Sequence, residues 1–334
     1  MNSTIPRLAT NVTTKPMEYQ WIYIYTHMIY FTEGILHIVG NLIILMAMHK
    51  IKSWGQKEYI LPGCLAIADL INGIFLTWFA IYREYRYLSL TGLQRLSQIQ
   101  CYLMLTHLQV LQSYLLPNVL LVIAIDRLIA CSSVSLYRRL TYRFMTGLAA
   151  MATGAGLTCY VAYFFIILSF DSSYTIVALC GVKGTLSPLF SSLMYGYQAA
   201  VSGLSVLIYF IALACLFRRH SEVLPDLLQR YKERQMKATR TLLIIVTGTL
   251  FLYTIPYSLA TLDRAKIIKS PIPVGQCIQI SNLNNMFNFV IYLWKHGEIR
   301  QATKERFCWK STVEPISMVA SLHSKSKDHH SAKL

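Results

Sequence analysis

Ala124-Ile125-Asp126-Arg127-Leu128-Ile129-Ala130 places an acid and a base side by side at the far end of a long apolar run, 101–129. A charge at membrane depth costs roughly 2.5 to 3.5 kcal/mol on insertion scales, so a pair kept there is kept for function. The run is the third of seven, the others falling at 22–48, 59–81, 145–170, 189–217, 241–262 and 274–294. Each supplies about the 20 residues needed to cross a hydrocarbon core about 30 Å thick. Of the 334 residues, 54% are hydrophobic and 14% charged, and the mean hydropathy is +0.43. These values lie outside the soluble globular range. The expected fold is all-α integral membrane, a seven-transmembrane helix bundle. The seventh run is rich in amides, so it is expected to be buried in the bundle or to line a cavity rather than to face lipid.

Lys and Arg in the short loops set the orientation. With the amino terminus outside, the inner segments carry Lys50, Lys52, Lys57, Arg138, Arg139 and Arg143, a basic third loop and a basic tail. That is more than twice the number on the outer segments. The net charge of +16 is divided among loops between spans, which reads as attachment to membrane lipids rather than to nucleic acid. Asn2-Ser3-Thr4 and Asn11-Val12-Thr13 are glycosylation acceptors and agree with this orientation. The first run starts after a polar stretch and lacks a small-residue cleavage site, so it is expected to act as its own insertion signal. Cys101 and Cys180 flank the membrane on the side of the amino terminus, an oxidising compartment, and are expected to form a disulfide; two unpaired small hydrophobes are the alternative. Cys64, Cys159, Cys215 and Cys277 are expected to pack within or near spans. Cys131 and Cys308 fall on the inner side, and Cys308, after an amphipathic stretch, is a palmitoylation candidate.

Several short pieces occur in one order, each at one depth: Gly40-Asn41 in the first run, Leu65-Ala66-Ile67-Ala68-Asp69-Leu70 in the second, Cys101 and Asp126-Arg127-Leu128 in the third. Pro256 in the sixth and Asn288-Phe289-Val290-Ile291-Tyr292 in the seventh complete the set. With them the chain resembles the rhodopsin-like (class A) G-protein-coupled receptors over all seven runs. Leu128, in place of that family's usual Tyr, makes it similar to the nematode serpentine chemoreceptors of the srsx type. The resemblance implies a plasma-membrane receptor, multi-pass, with an extracellular amino terminus and a cytoplasmic carboxy terminus. Such a receptor binds an extracellular small-molecule or peptide ligand and activates a heterotrimeric G protein. A chemosensory role is expected, with a neuropeptide receptor of the same fold as the alternative. HExxH, P-loop and GxSxG patterns and Cys/His clusters at metal spacing are absent from the sequence, so an enzyme is not expected.

Adjacent helical residues point about 100° apart, so Asp126 takes only part of the Arg127 guanidinium fork and leaves donors for a second partner. The resemblance implies local pairing at rest and, in the active state, an Arg127 that faces a cavity admitting the carboxy-terminal helix of a G protein α subunit. A pair that snorkels to the headgroups is the other reading. Met236 stands where the family often carries an acid to clasp this Arg, and Glu233 lies nearly a turn away, so a weak resting lock and appreciable basal activity are expected. Pro256 removes a backbone donor and should kink the sixth helix, either as a lever for outward swing or as a static bend. Thr254, with Tyr253 and Phe251 nearby, replaces the family's aromatic toggle. Asn288 and Tyr292 keep the ends of the NPxxY pattern while Phe289 replaces its Pro, so the seventh helix should be straighter there. Asp69, in mid-helix, needs amide partners, water or a cation to stay charged. Asn41, Asn284, Asn285 and Asn288 are candidates for that polar core. The resemblance implies a sodium ion at Asp69, although Leu116 stands where a Ser ligand is common; a neutral, hydrogen-bonded Asp is the alternative.

Helical spacing sets Gln109, Ser113 and Leu116 on one face of the third helix, with Tyr257, Thr261, Gln279 and Asn282 facing them from the sixth and seventh as the expected ligand pocket. Gln109 stands where amine receptors carry a carboxylate, and the body of the seventh run holds no Lys, so a cationic amine and a retinal Schiff base are both disfavoured. His107 lines the entrance or packs. Loop 171–188 has β-branched residues, Gly181 and Gly184, which permit the hairpin usual in peptide receptors. The expected organisation is an extracellular glycosylated segment 1–21, the bundle 22–294, a short cytoplasmic amphipathic helix 295–308 weakened by Gly297, and a disordered tail 309–334. Ser residues of that tail are expected kinase targets for arrestin-type desensitisation. Two rivals come from other classes. A ligand-gated channel subunit would need the amino terminus inside, and a secondary transporter would be expected to show a repeat or broken helices.

Overall fold

Apolar runs whose backbone groups lipid cannot satisfy must close their hydrogen bonds within the segment, and the chain does so as helices. The structure, a computed structural model, describes residues 17–51, 56–89, 95–169, 175–177, 180, 186, 188–220, 243–270, 272–295 and 297–307. Seven long helices follow in order: α1 (Met17–Lys50), α2 (Lys57–Leu88), α3 (His107–Ser132), α4 (Tyr142–Leu168), α5 (Pro188–His220), α6 (Leu243–Arg264) and α7 (Val274–Lys295). A shorter helix, α8 (Gly297–Phe307), comes last. By length and composition α1 to α6 can each cross a membrane. α7 is too rich in amides to qualify alone and is accepted only among protein neighbours. The calls at Asn2, Asn11, Gly181, Gly184, Glu233, Met236 and Cys308 and in the tail lie outside the described residues.

α3 is the central post, packed against α2, α4 and α5, while α1 meets α2 and α7, and α6 meets α5 and α7. α3 is the most buried of the apolar helices and α4 the least, so α4 turns Met151, Leu157, Val161 and Phe165 outward. α1 and α2 approach most closely where two glycines face each other. A Cβ on Gly73 would stand 2.8 Å from the His37 Cβ, and one on Gly34 would stand 2.9 Å from the Gly73 carbonyl. α2 runs to Leu88, past the apolar stretch 59–81, because its last turns carry their own polar contacts. Arg86 Nε donates to Tyr82 Oη at 3.1 Å there.

One end of the bundle is fastened between α2 and α5. Two three-residue strands, β1 (Arg95–Ser97) and β2 (Thr175–Val177), pair antiparallel with Leu96 opposite Ile176. Among the described residues the β structure therefore links two loops, where loop 171–188 was expected to allow a hairpin of its own. Ser97 opens the helical entry to α3 with a capping box: its Oγ accepts from Gln100 N at 3.2 Å, and Gln100 Oε1 accepts from Ser97 N at 3.1 Å. Cys101 follows and is bonded to Cys180, with Cα atoms 5.1 Å apart. Cys180 is left-handed, φ 46°, a conformation that costs a non-glycine residue about 1–2 kcal/mol and that the cross-link holds in place. A π-turn, Tyr102–Thr106, then leads into α3.

At the opposite end α8 folds back against α1. Ile299 and Ala302 are buried against Ile44, Ala47 and Met48, so part of the apolar face expected to lie on lipid packs on protein instead. Gly297 is the first residue of α8, a position where it carries no interior-helix cost. Lys50 Nζ donates to Glu305 Oε2 at 2.7 Å and Gln301 Nε2 to Glu305 Oε1 at 3.0 Å. These bonds hold the Glu305 carboxyl below the usual carboxylate range.

Candidate functional site

The disulfide end holds a cavity of about 380 Å³, at the small end of ligand-binding clefts. Tyr30 of α1, Phe75 and Arg83 of α2, Gln109 of α3, Tyr195 of α5, Arg264 of α6 and Ile278 of α7 all contribute to its wall. Gln109 is thus the expected pocket residue that lines it. Ser113 and Leu116 are buried deeper on α3. Tyr257 lies behind Tyr195, their rings 5.9 Å apart, and Thr261 Oγ1 donates to the Tyr257 carbonyl at 2.7 Å within its own helix. Gln279 is half-buried on α7 and does not line the cavity, and His107 Nδ1 packs 3.2 Å from the Tyr102 carbonyl. Arg83 and Arg264 were not singled out in the sequence because both lie just past the apolar runs 59–81 and 241–262. Helix ends that outrun the lipid carry them inward.

A chain of aromatic contacts leads down from the cavity wall. Tyr195 meets Tyr257, and Tyr257 meets Tyr253 edge-on at 4.7 Å, pairs each worth about 0.5–1.5 kcal/mol beyond area burial. Tyr253 Oη donates to Gln198 Oε1 at 3.1 Å and Thr254 Oγ1 donates to Ser202 Oγ at 3.1 Å. Both links join α6 to α5. Tyr253 and Thr254 close a π-turn, Leu250–Thr254, immediately before Pro256. Pro256 has no N–H for the turn below it, and the irregularity expected there takes the form of that wider turn.

Below Tyr253 sits a buried polar core. Asp69, Asn284, Asn285 and Asn288 are each at most 4% exposed. Asp69 Oδ1, Asn284 Oδ1 and Nδ2, Asn285 Oδ1 and Asn288 Nδ2 have no hydrogen-bond partner among the described residues. Asn41 differs, donating to the His37 carbonyl of its own helix at 2.9 Å. The unpartnered oxygens are of the hard type a sodium ion takes. However, Leu116 adds no oxygen, the two unpartnered amide N–H groups face away from any cation's needs, and the described residues hold no cluster of three His, Cys, Asp or Glu side chains. The mixture of donors and acceptors fits bridging water better than a directly held ion. Asp69 lies within electrostatic reach of both Tyr253 and Tyr292.

At that far end Arg127 Nε stands 3.2 Å from Asp126 Oδ2, with the acid 2% and the base 34% exposed. Tyr137, Tyr209 and Tyr292 all lie within electrostatic reach of Arg127. Tyr209, buried on α5, is a partner sequence reasoning missed; one Tyr among apolar residues of a membrane helix gives no signal of its own. Tyr137 belongs to the short helix Val134–Arg139, which Lys57 fastens to α2 by donating to the Tyr137 and Leu140 carbonyls at 2.8 and 3.2 Å. Phe289, in place of Pro, lays its ring on Gly40, where a Cβ would come within 3.0 Å. Two residues of the expected set therefore pack together.

A second buried cluster joins α1, α2 and α7. Asn282 Nδ2 donates to Glu33 Oε2 at 3.2 Å, and Asn72 Nδ2 donates to Asn282 Oδ1 at 3.4 Å. His37 Nε2 lies 3.1 Å from the Asn282 carbonyl. Asn282, expected in the ligand pocket, is placed in this three-helix tie. Glu33 and His37 stood in the sequence as intramembrane ionisable residues, the signal that could have found it.

Seven spans closed around a central α3, with a cavity at the disulfide end and an Asp-Arg pair at the other, define a multi-pass membrane receptor of the seven-helix class. A family model for the serpentine type 7TM GPCR chemoreceptor Srsx matches residues 34–307, and the chain belongs to that family. It is therefore a G-protein-coupled chemoreceptor and not an enzyme, with a ligand and a G protein as its general partners. No curated protein matches the chain.

Proposed function

We propose that this protein is a plasma-membrane chemosensory receptor, amino terminus extracellular, whose cavity at the disulfide end takes an external ligand and whose Arg127 end activates a heterotrimeric G protein. One observation carries the reading. Ring contacts lead from the cavity wall through Tyr195 and Tyr257 to Tyr253, and Asp69, Tyr292 and Arg127 each lie within electrostatic reach of the group before them toward the opposite end of the bundle. At about 1.5 Å per residue, Gln109 and Arg127 stand roughly 27 Å apart along α3. A ligand seated against Tyr195 moves Tyr257 and Tyr253, strains the Tyr253–Gln198 bond and frees the inner half of α6 from α5. Arg127 then exchanges Asp126 for Tyr209, Tyr292 or the incoming G protein. A ligand that prefers the open bundle by about 3 kcal/mol shifts the ratio of states roughly 150-fold.

The loop charges support the orientation, and glycosylation at Asn2 and Asn11, palmitoylation at Cys308 and arrestin binding to the tail belong to the same proposal. Nucleotide exchange on purified G proteins, measured with the receptor in lipid nanodiscs, tests it. Basal exchange is expected, and Arg127→Ala should remove at least nine-tenths of it, about 1.4 kcal/mol of coupling, at unchanged surface expression. Unaltered exchange in that variant would sink the mechanism.

A further inference from the structure

The cavity wall carries more positive than negative charge, and its buried donors are unspent. Arg264 Nε is buried without a hydrogen-bond partner among the described residues, and so is the Oη of Tyr195, a residue 1% exposed. Both residues line the cavity. Arg83 enters from the other side, its guanidinium 4.2 Å from the centroid of the Phe79 ring. Among the described residues the one acid of the wall is Asp263, whose Oδ1 accepts from Ser270 N at 3.0 Å. Unpartnered buried donors are costly, about 1–3 kcal/mol each, and a ligand that accepts from them recovers that cost. Apart from Gln109 and Tyr30, the rest of the lining, including Phe75, Phe79 and Ile278, is apolar.

Resting on the ligand-site reading above, we infer that the cavity binds a carboxylate carried by a small apolar body, with Arg264 and the Tyr195 hydroxyl as its direct partners and Arg83 as the second cation. A guanidinium fork matches the two oxygens of a carboxylate, and Tyr Oη adds a third donor. The apolar body lies on the phenylalanines. Because Tyr195 is also the first member of the aromatic chain, the bond that recognises the anion is the bond that moves the chain. The carboxylate can belong to a free small acid or to the carboxy terminus of a short peptide, and the volume of about 380 Å³ holds the acid whole but only the last residues of a peptide.

The test uses the full-length receptor in nanodiscs and reads both thermal stabilisation and G-protein nucleotide exchange. The probes are hexanoate, octanoate and 3-phenylpropanoate with their methyl esters, and Phe-terminated pentapeptides with free or amidated carboxy termini. At least one free carboxylate is expected to stabilise the receptor while its ester or amide does not; which probe type acts identifies the source. Arg264→Gln and Tyr195→Phe should weaken that probe on the order of tenfold to a hundredfold. Arg264→Lys, keeping the charge without the fork, should fall between. Surface expression and the melting temperature of the ligand-free receptor should be unchanged in all three, which shows that they fold and keeps this inference separate from the coupling mechanism. Equal binding of acid and ester, no binding by any free carboxylate, or unchanged affinity in Arg264→Gln overturns the carboxylate assignment and leaves the coupling mechanism standing. Loss of basal exchange in Arg127→Ala with carboxylate binding intact confirms that the two are separable.

Discussion

Asn282 shows how much one amide holds in a membrane interior. Its side chain accepts from Asn72 and donates to Glu33 while its carbonyl meets His37, so three helices share one residue. Asn282→Leu removes the donor to the Glu33 carboxyl and leaves Asn72 only its contact with His37 Nδ1 at 3.4 Å. The expected cost is about 1–3 kcal/mol for each group left unsatisfied, read as a clear fall in the melting temperature of the purified receptor. Glu33→Gln keeps an acceptor for Asn282 and should stay close to the parent; equal losses in both variants would mean that the tie is dispensable. Such clusters are hard to read from sequence. Glu33 and His37, polar residues on an apolar helix, went unremarked in the sequence, and because periodicity assigns a face and not a partner, Asn282 was placed toward the pocket. Asp126 and Arg127 stood out in the sequence as a charge pair at a span end, and the Cys101–Cys180 bond was legible because two thiols lie at one end of the apolar runs. Arg83 and Arg264 were not, because the sequence marks where lipid ends and not where a helix ends.

At the scale of helices, the closest packing depends on small residues. Gly34 and Gly73 let α1 and α2 touch backbone to backbone, and a Cβ on either meets main-chain atoms under 3.0 Å away that cannot step aside. Gly34→Ala is therefore expected to destabilise by about 1–3 kcal/mol. Gly154 of α4 has nothing within 4 Å of such a Cβ, and Gly154→Ala should be neutral or stabilising by up to about 1 kcal/mol. Thermal melts of the two variants side by side decide the point; a loss in Gly154→Ala equal to that in Gly34→Ala would refute it. The order of helices, their approximate bounds and the polarity of α7 follow from apolar run length, since the bilayer imposes it. Which helices touch, and that Gly40 seats the Phe289 ring, depends on shape complementarity that one sequence does not display.

Across the whole molecule, the Cys101–Cys180 bond ties the top of α3 to the loop before α5 over a sequence separation of 79 residues. A cross-link of that span is worth about 4 kcal/mol through the unfolded chain. Cys101→Ser should lower the melting temperature of the receptor and also weaken ligand binding, because α3 and α5 both contribute to the cavity wall. Preserved stability and binding in that variant would show that the β1–β2 pairing suffices to hold this end. The π-turn in α6 bears on the same wall in another way. Such a turn takes in one residue more than α-helical winding would, and by closing on residue i+5 it keeps the helix beyond it in register. Deleting one residue from Leu250–Thr254 would therefore let regular winding resume with Tyr257 still against Tyr195 and Arg264 still at the cavity. Deleting one residue from the regular turn Ser258–Thr261 would instead rotate everything beyond it by about 100°, and Arg264 would leave the cavity although it had not been changed. The chemistry of the cavity wall thus tolerates a change of count at one turn of α6 and not at the next.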